Sequence, residues 1–67
     1  MQLSARNQFK GTVKNVKLGA VMAEVVVDFA GQEIVSEITK SSVERLGLEM
    51  GDSVTCIIKA TDVMLGK

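Results

Sequence analysis

The nine residues Val21-Met22-Ala23-Glu24-Val25-Val26-Val27-Asp28-Phe29 constrain the fold more than any other stretch. Successive side chains of an extended chain point to opposite faces. Val21, Ala23, Val25, Val27 and Phe29 then share one wholly apolar face, which predicts core. Met22, Glu24, Val26 and Asp28 share the other, where Met22 and Val26 are available to a partner chain. A half-buried strand fits this alternation.

The flanking segments repeat the theme. Arg6 to Leu18 alternates Phe, Thr and Val loosely with Lys and Asn, a strand signature. Gly11 in its middle predicts a bulge or sharp bend. Gly19-Ala20 predicts a turn, and Ala30-Gly31-Gln32 is a connection of hairpin length. Glu33 to Thr39 reads as the return strand. Ser41 to Leu48 is the one helical signal: Ser41 with Glu44 matches a capping box, and Val43 and Leu46 can both face the core. Gly47 is placed to end the helix in a left-handed conformation, with Leu48 folding back. Glu49 to Asp52 reads as a turn. Ser53 to Leu65 reads as the last strand region, with Val54, Cys56 and Ile58 on one face and Thr55, Ile57, Lys59 and Thr61 on the other. The pattern predicts an all-β chain, a small oligonucleotide/oligosaccharide-binding-like β-barrel of about five strands with one short helix. It reads as one domain over residues 1–67.

A chain of 67 residues is short of core. At this size only about 60% of the unfolded surface is buried on folding. Small domains make up the deficit with disulfides, a structural metal or oligomerisation. One Cys excludes an intrachain disulfide, and the lack of His removes the usual structural zinc set. Oligomerisation is the remaining route. Eight basic and eight acidic residues cancel, which argues against a general polyanion binder. Two Phe leave a base-stacking surface little to stack on. No apolar run approaches a membrane span, and no secretory signal is evident. The reading is a cytoplasmic protein without membrane or nucleic-acid partners.

Catalytic equipment is sparse. There is no His for acid–base work near neutral pH. Cys56 lies in Val-Thr-Cys-Ile-Ile with no base beside it and reads as a small buried hydrophobe. The acidic residues are scattered without calcium-loop spacing. These features point away from an enzyme.

Two donor clusters stand out. Ser4-Ala5-Arg6-Asn7-Gln8 holds a hydroxyl, a guanidinium and two carboxamides; if extended, Ser4, Arg6 and Gln8 share a face and Asn7 points away. Lys59-Ala60-Thr61 lies near the other end. A small oxyanion wants this mix of hydroxyl, N–H and cationic groups without a carboxylate nearby. On spacing alone, a solvated arm and the exposed face of an edge strand account for the two clusters better.

Taken together, the motifs resemble those of the molbindins, the small molybdate-binding Mop domains. The resemblance rests on Ser4 to Gln8 followed by Lys10-Gly11, on Val21 to Val25, on Ser42 to Leu48 and on Lys59 to Met64, in that order over nearly the whole chain. It implies a hexamer, a trimer of dimers, that stores or buffers molybdate or tungstate in the cytoplasm at sites between subunits. It implies that Ser4, Arg6, Lys59, Ala60 and Thr61 form the main pocket. Gly19, Ala20 and Val21 of a neighbouring subunit would close it, and Asn7 would serve a second class of site near a symmetry axis. The family often has Ser where Ala60 stands, so this chain would rely on the backbone N–H there or on Thr61. A tetrahedral dianion brings its own oxygens, so the protein meets acceptors and not a bare cation. Two other readings remain: a single-stranded nucleic-acid module on the same barrel, and a purely structural oligomerisation module.

Overall fold

The computed structural model describes residues 2–67. Four strands form one antiparallel sheet: β1 (Asn7–Leu18), β2 (Met22–Phe29), β3 (Gln32–Thr39) and β4 (Ser53–Ile58), in the order β3-β2-β1-β4. One helix, α1 (Lys40–Leu46), separates β3 from β4, and a single 3-10 turn (Ala60–Asp62) follows β4. The all-β reading holds, with four paired strands in place of about five. The sheet is not closed into a barrel among the described residues.

β1 organises the sheet because it is long enough to serve two partners. Its first half pairs with β4, from Asn7↔Ile58 to Thr12↔Ser53. Its second half pairs with β2, from Thr12↔Asp28 to Leu18↔Ala23. The register slips between Val13 and Asn15, leaving Lys14 as the extra residue of a β-bulge. The bulge is thus three residues beyond Gly11. Gly11 has another use: a Cβ there would lie 2.5 Å from the Asp28 carbonyl oxygen and 2.6 Å from Val27 Cγ1. Only glycine lets β1 pass β2 so closely where it changes partner. The bulged Lys14 reaches across to an ion pair with Glu33 on β3.

β2 supplies most of the core. Ala23, Val25 and Val27 are buried with Val13 of β1 and Val43 of α1. Each fully buried valine contributes about 1.5 kcal/mol or more over an exposed one. Val16, Ile34, Ile38, Leu48, Val54 and Cys56 are half-buried around this centre. Phe29 is half-buried, its ring edge-on to Phe9 at 5.0 Å between centroids. Val21 departs from the expectation: it is 70% exposed. β2 begins one residue later, and Val21 lies in the β1–β2 turn, where its carbonyl accepts from the Lys40 N–H at 2.7 Å. The hairpin to β3 is a two-residue turn with Ala30 at φ 50° and Gly31 at φ 81°, matching the twist of the paired strands.

α1 is capped by Thr39, not by Ser41. Thr39 keeps extended backbone angles (φ −70°, ψ 149°), as an N-cap must, and its Oγ1 accepts from the Ser42 N–H at 3.1 Å. Ser41 is already helical and cannot serve. The far end is as read: Gly47 sits at φ 62°, its N–H donating to the Glu44 carbonyl while Leu48 N–H donates to that of Val43. Leu48 returns to the core and takes the place expected of Leu46, which is 63% exposed.

Candidate functional site

The β1–β4 register delivers the two donor clusters to one place. Asn7 faces Ile58 in the last ladder pair. Arg6 and Lys59 lie one residue beyond that pair, just outside the two strands, at the same end of the sheet. Ser4, Ala5, Arg6, Lys59, Ala60 and Thr61 line a single open depression of about 410 Å³. Two segments some fifty residues apart in sequence thus meet within one chain.

The local conformations differ from the sequence reading in ways that matter to the site. Ser4 to Arg6 precede β1, with a bend at Ser4, so they do not continue the strand alternation. Gln8 turns back to donate from Nε2 to the Ala5 carbonyl at 3.1 Å and does not line the depression. That bond holds the arm against the start of β1. β4 ends at Ile58 and does not run to Leu65, because the chain winds into the 3-10 turn: Asp62 N–H donates to the Lys59 carbonyl at 2.9 Å. Lys59 and Thr61 therefore do not share a strand face. The winding leaves the Ala60 and Thr61 N–H groups, first in the turn, without an acceptor among the described residues.

The depression carries a guanidinium, an ammonium, two hydroxyls and two free backbone N–H groups. Its lining contains no carboxylate. Such a set donates and does not accept, which suits an anion whose oxygens are all acceptors. Among the described residues no group of three or more His, Cys, Asp or Glu is arranged to hold a metal ion. Cys56 is half-buried on β4, and burial pushes its thiol up from the ordinary 9.0, away from nucleophilic use.

The remaining residues singled out in the sequence lie elsewhere. Ala20 and Val21 line a second open depression of about 340 Å³ with Thr39, Lys40, Ser41 and Glu44. Gly19 lies beside it, its N–H donating to the Met22 carbonyl at 2.8 Å. Asn7 opens β1 opposite Ile58 and lines neither depression. The sequence reading gave no part to Thr39 or Lys40. The signal was the run Thr39-Lys40-Ser41-Ser42, where a capping hydroxyl and a cation precede the helix.

Fold and site together define a class: a small antiparallel β module with a donor-only, cationic depression at one end of its sheet. The chain belongs to the TOBE domain family, which it matches over residues 3–65. It is 50% identical over 66 residues to molybdenum-pterin-binding protein 1 of Clostridium pasteurianum, covering 97% of each chain. The fold superimposes on a molybdate-binding protein from Sporomusa ovata with a TM-score of 0.96 at 45% identity, each chain fully covered. It also superimposes on the cytoplasmic molybdate-binding protein ModG with molybdate bound, at a TM-score of 0.93 and 49% identity, over 98% of this chain and 48% of that one. The resemblance drawn from the motifs is thereby borne out at the level of family and fold.

Proposed function

We propose that this chain binds molybdate, and tungstate with it, by hydrogen bonds and Arg/Lys charge, and performs no catalysis. The observation that carries this reading is the donor-only depression of Ser4, Arg6, Lys59, Ala60 and Thr61. The relatives named for molybdate or molybdenum-pterin support it. Molybdate is a tetrahedral dianion at neutral pH and offers only acceptors, so every group of the lining can serve it. Arg6 and Lys59 neutralise the charge, the hydroxyls of Ser4 and Thr61 donate, and the N–H of Ala60 stands where a side-chain hydroxyl is absent.

The depression is open, and one chain cannot enclose an anion in it. The surface carrying Ala20 and Val21, with Gly19 beside it, is the wall we assign to a neighbouring copy. Asn7 is the residue we assign to a second kind of site near a symmetry axis. The same reading makes the working form a homo-oligomer, a hexamer built as a trimer of dimers, acting in the cytoplasm as a molybdenum store or buffer. Residues 1–67 would act as one Mop unit in it.

Calorimetric titration with molybdate tests the reading. Saturable heat with a matching rise in thermal midpoint is expected. Arg6→Ala and Lys59→Ala should each weaken binding at least tenfold, since each removes a charge-assisted bond. Absence of heat and of any thermal shift would overturn it, as would equal losses in Lys14→Ala, whose ammonium is on the Glu33 side of the sheet.

A further inference from the structure

One side of the donor depression is framed by backbone bonds and the other is not. Lys59, Ala60 and Thr61 stand on a turn closed twice: Asp62 N–H donates to the Lys59 carbonyl at 2.9 Å, and Val63 N–H to that of Ala60 at 3.3 Å. Ser4, Ala5 and Arg6 have no such frame, because the β1–β4 ladder begins only at Asn7↔Ile58. Among the described residues a single hydrogen bond reaches the arm of residues 2–6, from Gln8 Nε2 to the Ala5 carbonyl at 3.1 Å. The Ser4 hydroxyl and the Arg6 guanidinium are exposed and engage no described residue.

That one bond does two things. It ties the arm back to the second residue of β1, whose own place is set by pairing with Ile57 of β4. A mobile arm would have to be ordered by the ligand, and fixing each residue costs backbone entropy that weakens binding. The bond also takes up the Ala5 carbonyl. Ala5 lines the depression and Gln8 does not, so this oxygen is engaged by a group outside the lining. Released towards a dianion, the same oxygen would repel it. A carboxamide suits the task because it can donate to a carbonyl; an ionised carboxylate of equal length can only accept.

We infer that Gln8 is a positioning residue of the oxyanion site: by clasping the Ala5 carbonyl it holds Ser4 and Arg6 in place with Lys59 and Thr61 before any anion arrives. Gln8 touches no ligand itself and acts only through the arm. This deepens the oxyanion reading, on which it rests for its ligand, while the clasp stands on the one hydrogen bond and the otherwise unframed arm.

Backbone amide NMR relaxation without oxyanion reads the order of the arm, and calorimetric titration with molybdate reads the site. Gln8→Met keeps the side chain's length and removes its donor. In the wild-type chain, residues 4–6 are expected to be as ordered as β1. In Gln8→Met the same residues should lose order and regain it at saturating molybdate, with the thermal midpoint unchanged, as for most exposed substitutions. The molybdate dissociation constant should rise about three- to tenfold, the range set by the net worth of one hydrogen bond and the lost preorganisation. Gln8→Glu should lose at least as much, since it cannot donate and adds a negative charge beside the arm. An arm already mobile in the wild-type chain would overturn the inference. So would a Gln8→Met variant that binds as tightly as wild type, or one whose weaker binding comes with a lowered thermal midpoint and an arm still ordered, which makes Gln8 merely structural. Molybdate heat together with any of these results removes the role of Gln8 and leaves the oxyanion reading standing. An ordered, Gln8-dependent arm without molybdate heat leaves only the clasp and overturns both the reading and the role.

Discussion

Replacing Gly11 by Ala probes how the chain is bent to make its site. The added Cβ would sit 2.5 Å from the Asp28 carbonyl oxygen, where ordinary contact begins at 3.4 Å. The obstacle is backbone, so no side chain can swing away; β1 and β2 must part by several tenths of an ångström or more. Overpacking of this kind costs about 1–3 kcal/mol. Against it stands a gain of roughly 0.4–1 kcal/mol, because alanine restricts the unfolded chain more than glycine. The net expectation is a loss of about 1–2 kcal/mol. For a domain this small each kcal/mol moves the thermal midpoint by about 4–8 °C. Calorimetry or circular dichroism at one fixed protein concentration should show a fall of roughly 4–16 °C. Molybdate affinity should fall too, since Gly11 lies in the half of β1 whose pairing with β4 brings Arg6 and Lys59 to one depression. A midpoint unchanged or raised would refute the close approach of β1 to β2.

Other substitutions test separate joints. Ala30→Asn should raise the thermal midpoint by a few degrees, because Ala30 holds φ 50° in the two-residue turn and Asn adopts that region at less cost. Gly47→Ala should lower it by about 4–8 °C, from a cost of about 1 kcal/mol or more for a left-handed alanine. Thr39→Ala should cost about 1 kcal/mol in denaturant unfolding by removing the N-cap acceptor, whereas Ser41→Ala should cost less. The Glu33 hydrogen bond, then its charge, holds the Lys14 ammonium above its ordinary 10.5. From neutral pH up to 10.5 the pair's contribution is thus full, and it is lost as pH rises through the folded-state value. Glu33→Gln should flatten that part of the stability profile.

Legibility followed the range of the interactions. The β2 alternation and the Gly47–Leu48 helix end depend on neighbouring residues, and both could be read directly. The cap was misplaced because Thr39, Ser41 and Ser42 are all plausible caps locally; which one keeps extended backbone depends on where β3 stops. Composition points to a bulge or sharp bend at Gly11; the bulge itself falls at Lys14, because β1 changes partner near there. Val21 was assigned to the core by its period, which the turn interrupts. The site was half legible. The donor types could be read in Ser4-Ala5-Arg6 and Lys59-Ala60-Thr61. That Arg6 and Lys59 line one depression follows from the long-range β1–β4 register, which no local pattern encodes. The 3-10 turn that frees the Ala60 and Thr61 N–H groups was likewise hidden under a strand-like run.

Diffraction from crystals grown with molybdate, recorded at the molybdenum absorption edge, tests the central claim most directly. An anomalous peak is predicted within hydrogen-bond reach of Arg6, Lys59 and the Ala60–Thr61 backbone. A peak only at some other surface, or none at saturating molybdate, would contradict it.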